Sequence, residues 1–462
     1  MKAFLKIFFL FCLVTSAYAQ SITWQKTYGG PGMQYGYAII QVPDGGYIAA
    51  GRKFSNIYVM RLNQYGDTLW TKEFPGYQAS SIIKSADNNY VILGTFSDVI
   101  KINLQGETIW QRNYGFRAFN FNEAIDSTLL VCGLRDNGFL RIPVLLKLKP
   151  NGDTVFKKEY LTNYFDGYFS DLVVSNDNEF VLCGNYSDSS FISDKVFLLK
   201  TDASGNQLWF RDNDSLRYNY AESITKSYDG EFIIGGSTSR SILMKFDVNG
   251  LFLWKKTFDS LHYGECNSLI NTNDGGFAFT GTWDSLSNSN YFVRLYKLDF
   301  NGDEEWRKSY GFNDNDHGYT IRQTKDSGFV IIGIRDNFNG GDIYIIKTDK
   351  SGYANPVVGI NNIQFEFPSS FNLLQNYPNP FNPTTIISYK ISSTIFVTLK
   401  VFDITGKETE TLVNSLHSPG VYKIEFKIQG NEFDNVSSSG IYFYSIFLDG
   451  KLAETKKMIF LK

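Results

Sequence analysis

The hydrophobic residues of this chain fall into short segments in which apolar and polar positions alternate, the pattern of half-buried β-strands. In the first repeating unit these segments are Tyr37–Gln41, Tyr47–Arg52, Ile57–Leu62 and Asp67–Phe74. Each segment is rich in β-branched or aromatic residues and is bounded by Gly, Asn or Asp. Beyond residue 19, no segment has the apolar period of a helix. The pattern predicts an all-β fold of four-stranded units.

The unit recurs seven times in one order. A Gly followed four residues later by an aromatic residue occurs at Gly66/Trp70, Gly106/Trp110, Gly152/Phe156, Gly205/Trp209, Gly250/Trp254 and Gly302/Trp306, and Gly352 lacks the aromatic partner. Five residues before each Gly stands a base: Arg61, Lys101, Lys147, Lys200, Lys245, Lys297 and Lys347. Upstream, an aromatic residue or Leu precedes a second Gly by four residues at Tyr47/Gly51, Tyr90/Gly94, Leu129/Gly133, Phe180/Gly184, Phe232/Gly236, Phe277/Gly281 and Phe329/Gly333. Such regular repetition predicts a repeat architecture.

Units of this length with four strands are typical of propeller blades, and a ring of blades protects the strand edges that a row of sheets leaves open. Trp24, in Ser21–Tyr28, belongs to a lone fourth strand at the start, whereas the seventh unit lacks its own. We therefore predict a seven-bladed β-propeller over residues 20–352, in which the N-terminal strand pairs with Ile343–Thr348 and closes blade seven. The alternative is an open solenoid, which needs polar caps that the sequence does not show.

The Gly-x-x-x-Trp element resembles the tryptophan-docking repeats of quinoprotein-like propellers over residues 21–356. The resemblance implies architecture rather than chemistry, because the quinone-dependent dehydrogenases of that family have eight blades and a vicinal cysteine pair, and this chain has neither. Non-catalytic members that bind protein partners are the closer analogy. We expect the repeated Trp residues to pack between blades, and the repeated bases to be solvated or to protect strand edges.

The first 19 residues have the order of a secretory signal peptide: Lys2 and Lys6, an apolar stretch from Ile7 to Val14, then Ala17-Tyr18-Ala19. We predict cleavage between Ala19 and Gln20. The alternative is a membrane anchor, but the apolar run is shorter than a membrane span. No later segment has membrane-spanning length, so no transmembrane segment is expected in the mature chain.

Composition narrows the range of partners. The net charge is −3, and it becomes −5 once the two lysines of the leader are removed. A chain without basic excess cannot neutralise a phosphate backbone, so nucleic acid is not an expected partner. Cys132, Cys183 and Cys266 are an odd set beyond the leader, and Cys132 and Cys183 occupy equivalent places in neighbouring repeats. We expect these two to be buried apolar residues rather than a disulfide.

The repeats stop near Gly352, and residues 353–371 are predicted to be a linker. Residues 372–462 form a second region of short strands at Ile386–Lys390, Phe396–Phe402, Gly420–Ile428, Gly440–Leu448 and Lys457–Leu461. About 90 residues of such strands indicate a small Ig-like β-sandwich.

This second region resembles the type A C-terminal sorting domain of the type IX secretion system of Bacteroidetes and related bacteria. The elements that carry the likeness occur in order: the run Asn376, Tyr377, Pro378, Asn379, Pro380, Phe381, Asn382 and Pro383, then Val401–Gly406, then Ser439–Tyr444 around Gly440, then Lys457–Lys462. The resemblance implies the type IX secretion machinery as a partner, passage through the periplasm, and release or attachment at the outer cell surface. The alternative is an ordinary Ig-like adhesion module.

Familiar catalytic and metal motifs are absent from the sequence. His262, His317 and His417 are isolated, and there is no zinc motif, nucleophile elbow or P-loop. The stretch Asn313–Asp316 is rich in oxygen ligands but lacks the Gly and distal Glu of an EF-hand, so a polar loop is expected rather than calcium binding. We therefore predict neither a metal nor a cofactor.

Two classes of function remain. The favoured one is a non-enzymatic propeller that binds a glycan, a peptide or a protein at or near the cell surface, and the alternative is a secreted polysaccharide hydrolase or lyase. Clustered carboxylates with raised pKa in the central channel would favour the enzyme. The loops between second and third strands vary in length and are expected to carry the ligand. The candidate binding residues on them are Arg135, Tyr186, Phe191, Trp283, Asp284, Arg335, Asp336 and Phe338.

Overall fold

The computed structural model describes residues 22–30, 32–160, 166–175, 177–187, 194–217, 219–258, 263–285, 290–311, 315–337, 340–355, 371–391, 395–417, 420–428 and 439–461. The chain divides after residue 357 into two units. Every regular element in the described ranges is a strand, and no helix there has the length and hydropathy to cross a membrane.

Within its described ranges the first unit contains 28 strands, and each group of four follows one repeat of the sequence. The strands are β1 (Trp24–Tyr28), β2 (Gln34–Gln41), β3 (Tyr47–Lys53), β4 (Asn56–Leu62), β5 (Thr68–Phe74), β6 (Ala79–Lys84), β7 (Tyr90–Gly94), β8 (Asp98–Ile102), β9 (Thr108–Asn113), β10 (Arg117–Glu123), β11 (Leu129–Asp136), β12 (Arg141–Leu148), β13 (Thr154–Glu159), β14 (Asp166–Val174), β15 (Phe180–Ser187), β16 (Asp194–Thr201), β17 (Gln207–Arg217), β18 (Tyr220–Lys226), β19 (Phe232–Ser237), β20 (Ser241–Phe246), β21 (Phe252–Thr257), β22 (Ser268–Asn271), β23 (Phe277–Ser285), β24 (Asn290–Leu298), β25 (Glu304–Tyr310), β26 (Asn315–Gln323), β27 (Phe329–Asn337) and β28 (Gly340–Lys347).

These strands form seven four-stranded antiparallel sheets, which we number I to VII from β2 onward. The first strand of each sheet contacts the first strand of the next, and β26 of sheet VII contacts β2 of sheet I. The sheets therefore form a closed ring with their first strands innermost. The loops between second and third strands and the connections between sheets lie at one end of the ring, the loop face, and the remaining turns lie at the other, the turn face.

Sheet VII is completed by the N-terminal strand. β1 pairs antiparallel with β28, from Trp24 opposite Lys347 to Tyr28 opposite Ile343. The predicted pairing of these strands is confirmed. Trp24 is 7 % exposed and packs with Tyr47 of sheet I at a ring distance of 5.8 Å. The two ends of the ring are thus joined by side-chain packing as well as by strand pairing.

The Gly-x-x-x-Trp element is explained by packing between neighbouring sheets. Each Gly of the element has a positive φ in a turn, and it lies against the aromatic ring of the preceding sheet. A Cβ on Gly250, for example, would approach the Trp209 ring to 2.7 Å. The same contact joins Gly66 to Trp24 and Gly352 to Trp306, so the seventh Gly packs against the sixth aromatic residue of the repeats. The prediction that the repeated Trp residues pack between units is confirmed.

The repeated bases are not solvated, and that prediction is wrong. Five of the seven are at most 5 % exposed, because each side chain leaves the interior third strand and passes beneath the turn between the first and second strands. There it meets an acidic residue of that turn, in the pairs Arg61–Asp44, Lys101–Asp87, Lys147–Asp126, Lys200–Glu179, Lys245–Asp229, Lys297–Asp274 and Lys347–Asp326 at 2.5–3.1 Å. The Gly-rich turn leaves room for the base, since a Cβ on Gly46 would meet Arg61 at 2.4 Å.

Cys132, Cys183 and Cys266 are buried and unpaired with one another. Burial raises the pKa of each thiol well above its usual value, so the thiolate is disfavoured. They behave as small apolar residues of the sheets, as predicted for the first two.

The second unit contains β29 (Asn372–Leu373), β30 (Thr384–Ile391), β31 (Ile395–Asp403), β32 (Glu408–His417), β33 (Gly420–Lys427), β34 (Gly440–Leu448) and β35 (Lys451–Phe460). A three-stranded sheet (β29-β30-β33) and a four-stranded sheet (β32-β31-β34-β35) share one hydrophobic core. The sequence did not predict β32. Only Val413 of that edge strand is buried, so it lacks an apolar face.

Candidate functional site

The innermost strands carry a β-bulge at a fixed place. In six of the seven sheets the first strand slips by one residue against the second, and the unpaired residues are Tyr37, Ser80, Phe119, Ser170, Glu222 and Tyr319. In sheet VI, Asn267 holds the same place just before β22. The repeated Gly of the second strand permits this arrangement. A Cβ on Gly51, Gly133, Gly184, Gly236, Gly281 or Gly333 would lie 1.7–2.0 Å from a backbone oxygen of the first strand.

The bulges direct one side chain from every sheet into a central cavity. All seven residues line it, and its volume is about 840 Å³. Because the scaffold repeats while these residues differ, the cavity wall is chemically asymmetric. A concave site of this size with a few polar groups is the usual form of a ligand pocket.

Two lining residues of the cavity, Tyr37 and Tyr319, belong to a group of aromatic rings that continues behind the lining through His317 and Tyr291. Tyr37 and Tyr319 lie 5.1 Å apart between ring centres. His317 stacks nearly parallel to Tyr319 at 6.3 Å and contacts Tyr291 at 5.3 Å. Burial lowers the pKa of His317, which favours the neutral imidazole. This wall offers ring faces to an incoming ligand.

The adjoining side is acidic. Glu222 projects from the bulge of β18, and the structure places Glu265 just ahead of β22 in the next sheet. The Glu222 side chain is solvent-accessible through the cavity, and partial desolvation there, together with the nearby charge of Glu265, raises its pKa to about 7. Glu265 accepts hydrogen bonds from the Tyr263 hydroxyl and from Asn267 Nδ2 at 3.4 Å. Glu222 lines the cavity itself, and Glu265 lies behind the lining residue Asn267.

Asp171 is a structural carboxylate. It is 7 % exposed and accepts bonds from Asn120 Nδ2 at 2.7 Å, from the backbone N–H groups of Leu172 and Ile224, and from the Ser223 hydroxyl. Burial raises its pKa to about 6 in spite of these donors. Because its partners come from sheets III, IV and V, Asp171 ties three neighbouring first strands together.

Trp283 and Asp284, predicted as binding residues, lie at the loop-face end of β23 and are half-buried. The guanidinium of Arg294 lies over the Trp283 ring, 3.9 Å from its centre, and Phe292 contacts the same ring at 5.9 Å. Trp283 is thus held by its own sheet, with only part of its surface open.

The other candidates are spread around the loop face. Arg335 is half-buried 3.9 Å from Asp316, whereas Asp336 is exposed. Arg135, across the ring in sheet III, makes a two-pronged ion pair with Glu159 at 2.6 and 2.9 Å. The structure therefore does not gather these residues into one cluster with Trp283.

Tyr186 was predicted to lie on a loop, but it belongs to strand β15. It is 4 % exposed, packs on Phe197 and Phe210, and bonds Asp212 through its hydroxyl, so it offers no surface to a ligand. Phe191 and Phe338 lie outside the described residues.

Within the described residues, no three His, Cys, Asp or Glu side chains come together as a metal site. Asp316, the last residue of the oxygen-rich stretch considered for calcium, is buried beside Arg335. Residues 313 and 314 of that stretch lie outside the described residues, as does His262.

The proline-rich segment of the second unit is anchored by two of its residues. Asn376 is 2 % exposed and donates from Nδ2 to Thr385 Oγ1 at 2.9 Å, and Phe381 is buried against Phe426 and Phe460. Asn379 accepts from the backbone N–H of Ile459. The exposed members are Tyr377, Pro378, Pro380, Asn382 and Pro383.

The later matched elements occupy the same unit. Gly406 forms a turn with φ +84°, and Gly440 pairs with Phe460. Lys462, Ala19 and Gln20 lie outside the described residues.

Comparison with known proteins bears on the fold. No protein-family model and no curated protein matches the sequence. Among solved structures, the WD40 β-propeller domain of Doa1 is similar over 72 % of this chain and 99 % of that one, with a TM-score of 0.50 and 12 % identity. A protein of unknown function from Bacteroides caccae aligns over 60 % of this chain and 94 % of that one, with a TM-score of 0.41 and 11 % identity. The chain thus contains a β-propeller-like fold of repeated antiparallel sheets.

Proposed function

We propose that this protein is an exported, non-enzymatic propeller that binds a glycan, a peptide or a protein at the loop face, around the mouth of the central cavity. The observation that carries the proposal is the ring of seven bulge residues, which vary in chemistry on a scaffold that repeats. Variation at a fixed inward-facing position of a rigid ring suits ligand recognition.

We also propose the finer architecture. Sheets I to VII are taken as seven blades of one propeller, with β1 as the outer strand of the seventh. Their closed ring of first strands and the seven repeats support this reading. The two sheets of the second unit are taken as an Ig-like sandwich that serves as the sorting domain, which is supported by the four sequence elements in order and by the burial of Asn376 and Phe381.

Export is tested by deleting residues 372–462 in the native host. If this unit is the address for the type IX machinery, the shortened protein should accumulate in the periplasm, and its N-terminus should begin at Gln20. Leu452→Ser, an exposed change outside the matched elements, is the control and should be exported normally. Surface or medium levels of the shortened protein equal to wild type would show that export does not use this unit.

Ligand binding is tested by presenting the mature protein to glycan and peptide arrays. We expect Trp283→Ala and Arg335→Ala to weaken a ligand found there about tenfold. Trp283→Ala should leave the melting temperature nearly unchanged, whereas Arg335→Ala should also lower it, because it removes the cation beside the buried Asp316. Tyr65→Ala, on an exposed turn at the opposite end, is the matched control. Full affinity in both loop-face variants, with loss in Tyr65→Ala, would place the site on the turn face.

A polysaccharide hydrolase or lyase is the second candidate, and one observation favours it. Glu222 has a pKa of about 7 beside a second carboxylate, the condition of a general acid. A reducing-sugar assay beside the glycan array tests it. If the wild type releases sugar and Glu222→Gln does not, the protein is an enzyme. If the wild type binds a glycan without releasing sugar, the binding function is supported instead.

A further inference from the structure

The pair Glu222 and Glu265 has no basic partner. Among the described residues, no Lys, Arg or His forms an ion pair with either carboxylate. Other carboxylates of this chain that sit in enclosed turns, such as Asp326 with Lys347 at 2.9 Å, do have one. Glu265 is bonded only by uncharged donors, Tyr263 and Asn267. The two carboxylates therefore carry negative charge that no ion pair of the described residues neutralises, although Arg117, Arg141 and Arg322 also line the cavity.

The neighbouring rings make this place suitable for an organic cation. Tyr263 contacts Tyr291 at 6.3 Å, Tyr291 contacts His317, and His317 stacks on Tyr319. The faces of such rings attract cations and also accept aliphatic carbon chains. A carboxylate pair beside an aromatic wall is thus complementary to a positive charge on an apolar stem.

A divalent metal fits this place less well. Calcium takes six to eight oxygen ligands, whereas the described residues bring no third His, Cys, Asp or Glu to the pair. A protonated amine needs only two or three acceptors, because an ammonium group has three N–H donors.

We propose that Glu222 and Glu265 bind a protonated primary amine, the lysine side chain of a peptide ligand, with its methylene stem along the wall of Tyr319, His317 and Tyr291. This rests on the proposed function and specifies the ligand of that site. The unbranched stem of lysine carries its charge away from the peptide backbone, so the peptide itself remains at the loop face.

Binding should depend on pH, because Glu222 must ionise to take up the ammonium group. The titratable groups that interact with it are Glu265, Tyr263 and the buried thiols of Cys183 and Cys266, whose raised pKa values keep them neutral, and none of the four is a cation at this pH. Below the pKa of about 7, Glu222 is protonated and binding requires loss of that proton. Affinity for lysine should therefore rise about tenfold from pH 6 to pH 8 and level off above.

The test measures, by calorimetry with the mature chain at pH 8, binding of acetyl-Ala-Lys-Ala-amide and of the same peptide with acetylated lysine. We expect the lysine peptide to bind at least tenfold more tightly, and the preference to disappear in Glu222→Gln and Glu265→Gln. Tyr65→Ala, on an exposed turn at the opposite end of the ring, should keep it. Thermal unfolding of each variant shows that it is folded.

Equal affinity for the two peptides in the wild type, or a preference unchanged in both Gln variants, would overturn the inference. Cadaverine binding as tightly as the peptide would show that the site takes a free diamine and not a peptide. If an array ligand loses affinity in Trp283→Ala but not in Glu222→Gln, the proposed loop-face binding stands and only this assignment fails.

Discussion

Gly281→Ala should destabilise the protein by about 4 kcal/mol or more, an unusually large effect for one methyl group. The added Cβ would lie 1.9 Å from the backbone oxygen of Glu265, so the first strand of sheet VI would have to move. No flexible side chain can yield there, because the obstacle is backbone. The measurement is chemical denaturation of the mature chain at neutral pH.

Gly275→Ala in the same sheet is the matched control. Gly275 has φ +92° in a turn, and a Cβ there meets no atom within 4 Å. Its replacement should therefore cost only the backbone strain of a left-handed residue, about 1–2 kcal/mol. Equal losses in the two variants would mean that the repeated Gly is needed for its conformation and not for the close approach of the bulge.

This prediction links a pattern in the sequence to the cavity. The repeated Gly of the second strand was recognised from the sequence as part of a repeat, but its role depends on a contact with another strand. The structure supplies that contact, and the contact explains why the first strand bulges and turns one residue inward. The residues that line the cavity were therefore missed, although a usable signal exists. Each bulge position stands ten residues before the residue that opens the second strand, as Glu222 does before Phe232.

The strands were predictable because apolar alternation and turn residues are local properties. Tyr47–Lys53 and Asn56–Leu62 lie within a residue of the predicted segments.

The buried bases were not predictable in the same way. A Lys next to apolar residues looks solvated until the turn that carries its acidic partner folds over it, as Asp326 does over Lys347. Strand β32 was not predicted because it is an exposed edge strand, and its sequence shows no alternation of apolar and polar residues.

Removing residues 20–28 should lower the melting temperature by about 10 °C, far more than the loss of nine terminal residues from most proteins. Trp24 alone fills a buried site, and replacing a buried Trp by Ala costs about 3–5 kcal/mol. For a unit of more than 300 residues each kcal/mol corresponds to about 1.5 °C, so loss of the tryptophan alone lowers the melting temperature by about 4–8 °C. Deletion also leaves the edge of β28 unpaired from Ile343 to Lys347.

Two point variants separate the contributions of this strand. Trp24→Ala should account for most of the loss, since the ring contacts Tyr47 and Gly66 of sheet I and donates from Nε1 to the Gln64 carbonyl at 3.0 Å. Lys26→Ala, which removes a surface ion pair with Asp67 and a cation–π contact with the Trp24 ring at 5.9 Å, should cost less than about 1 kcal/mol. A melting temperature unchanged by the deletion would contradict closure of the ring by β1. A large loss on deletion with none in Trp24→Ala would assign closure to the backbone pairing and not to the tryptophan.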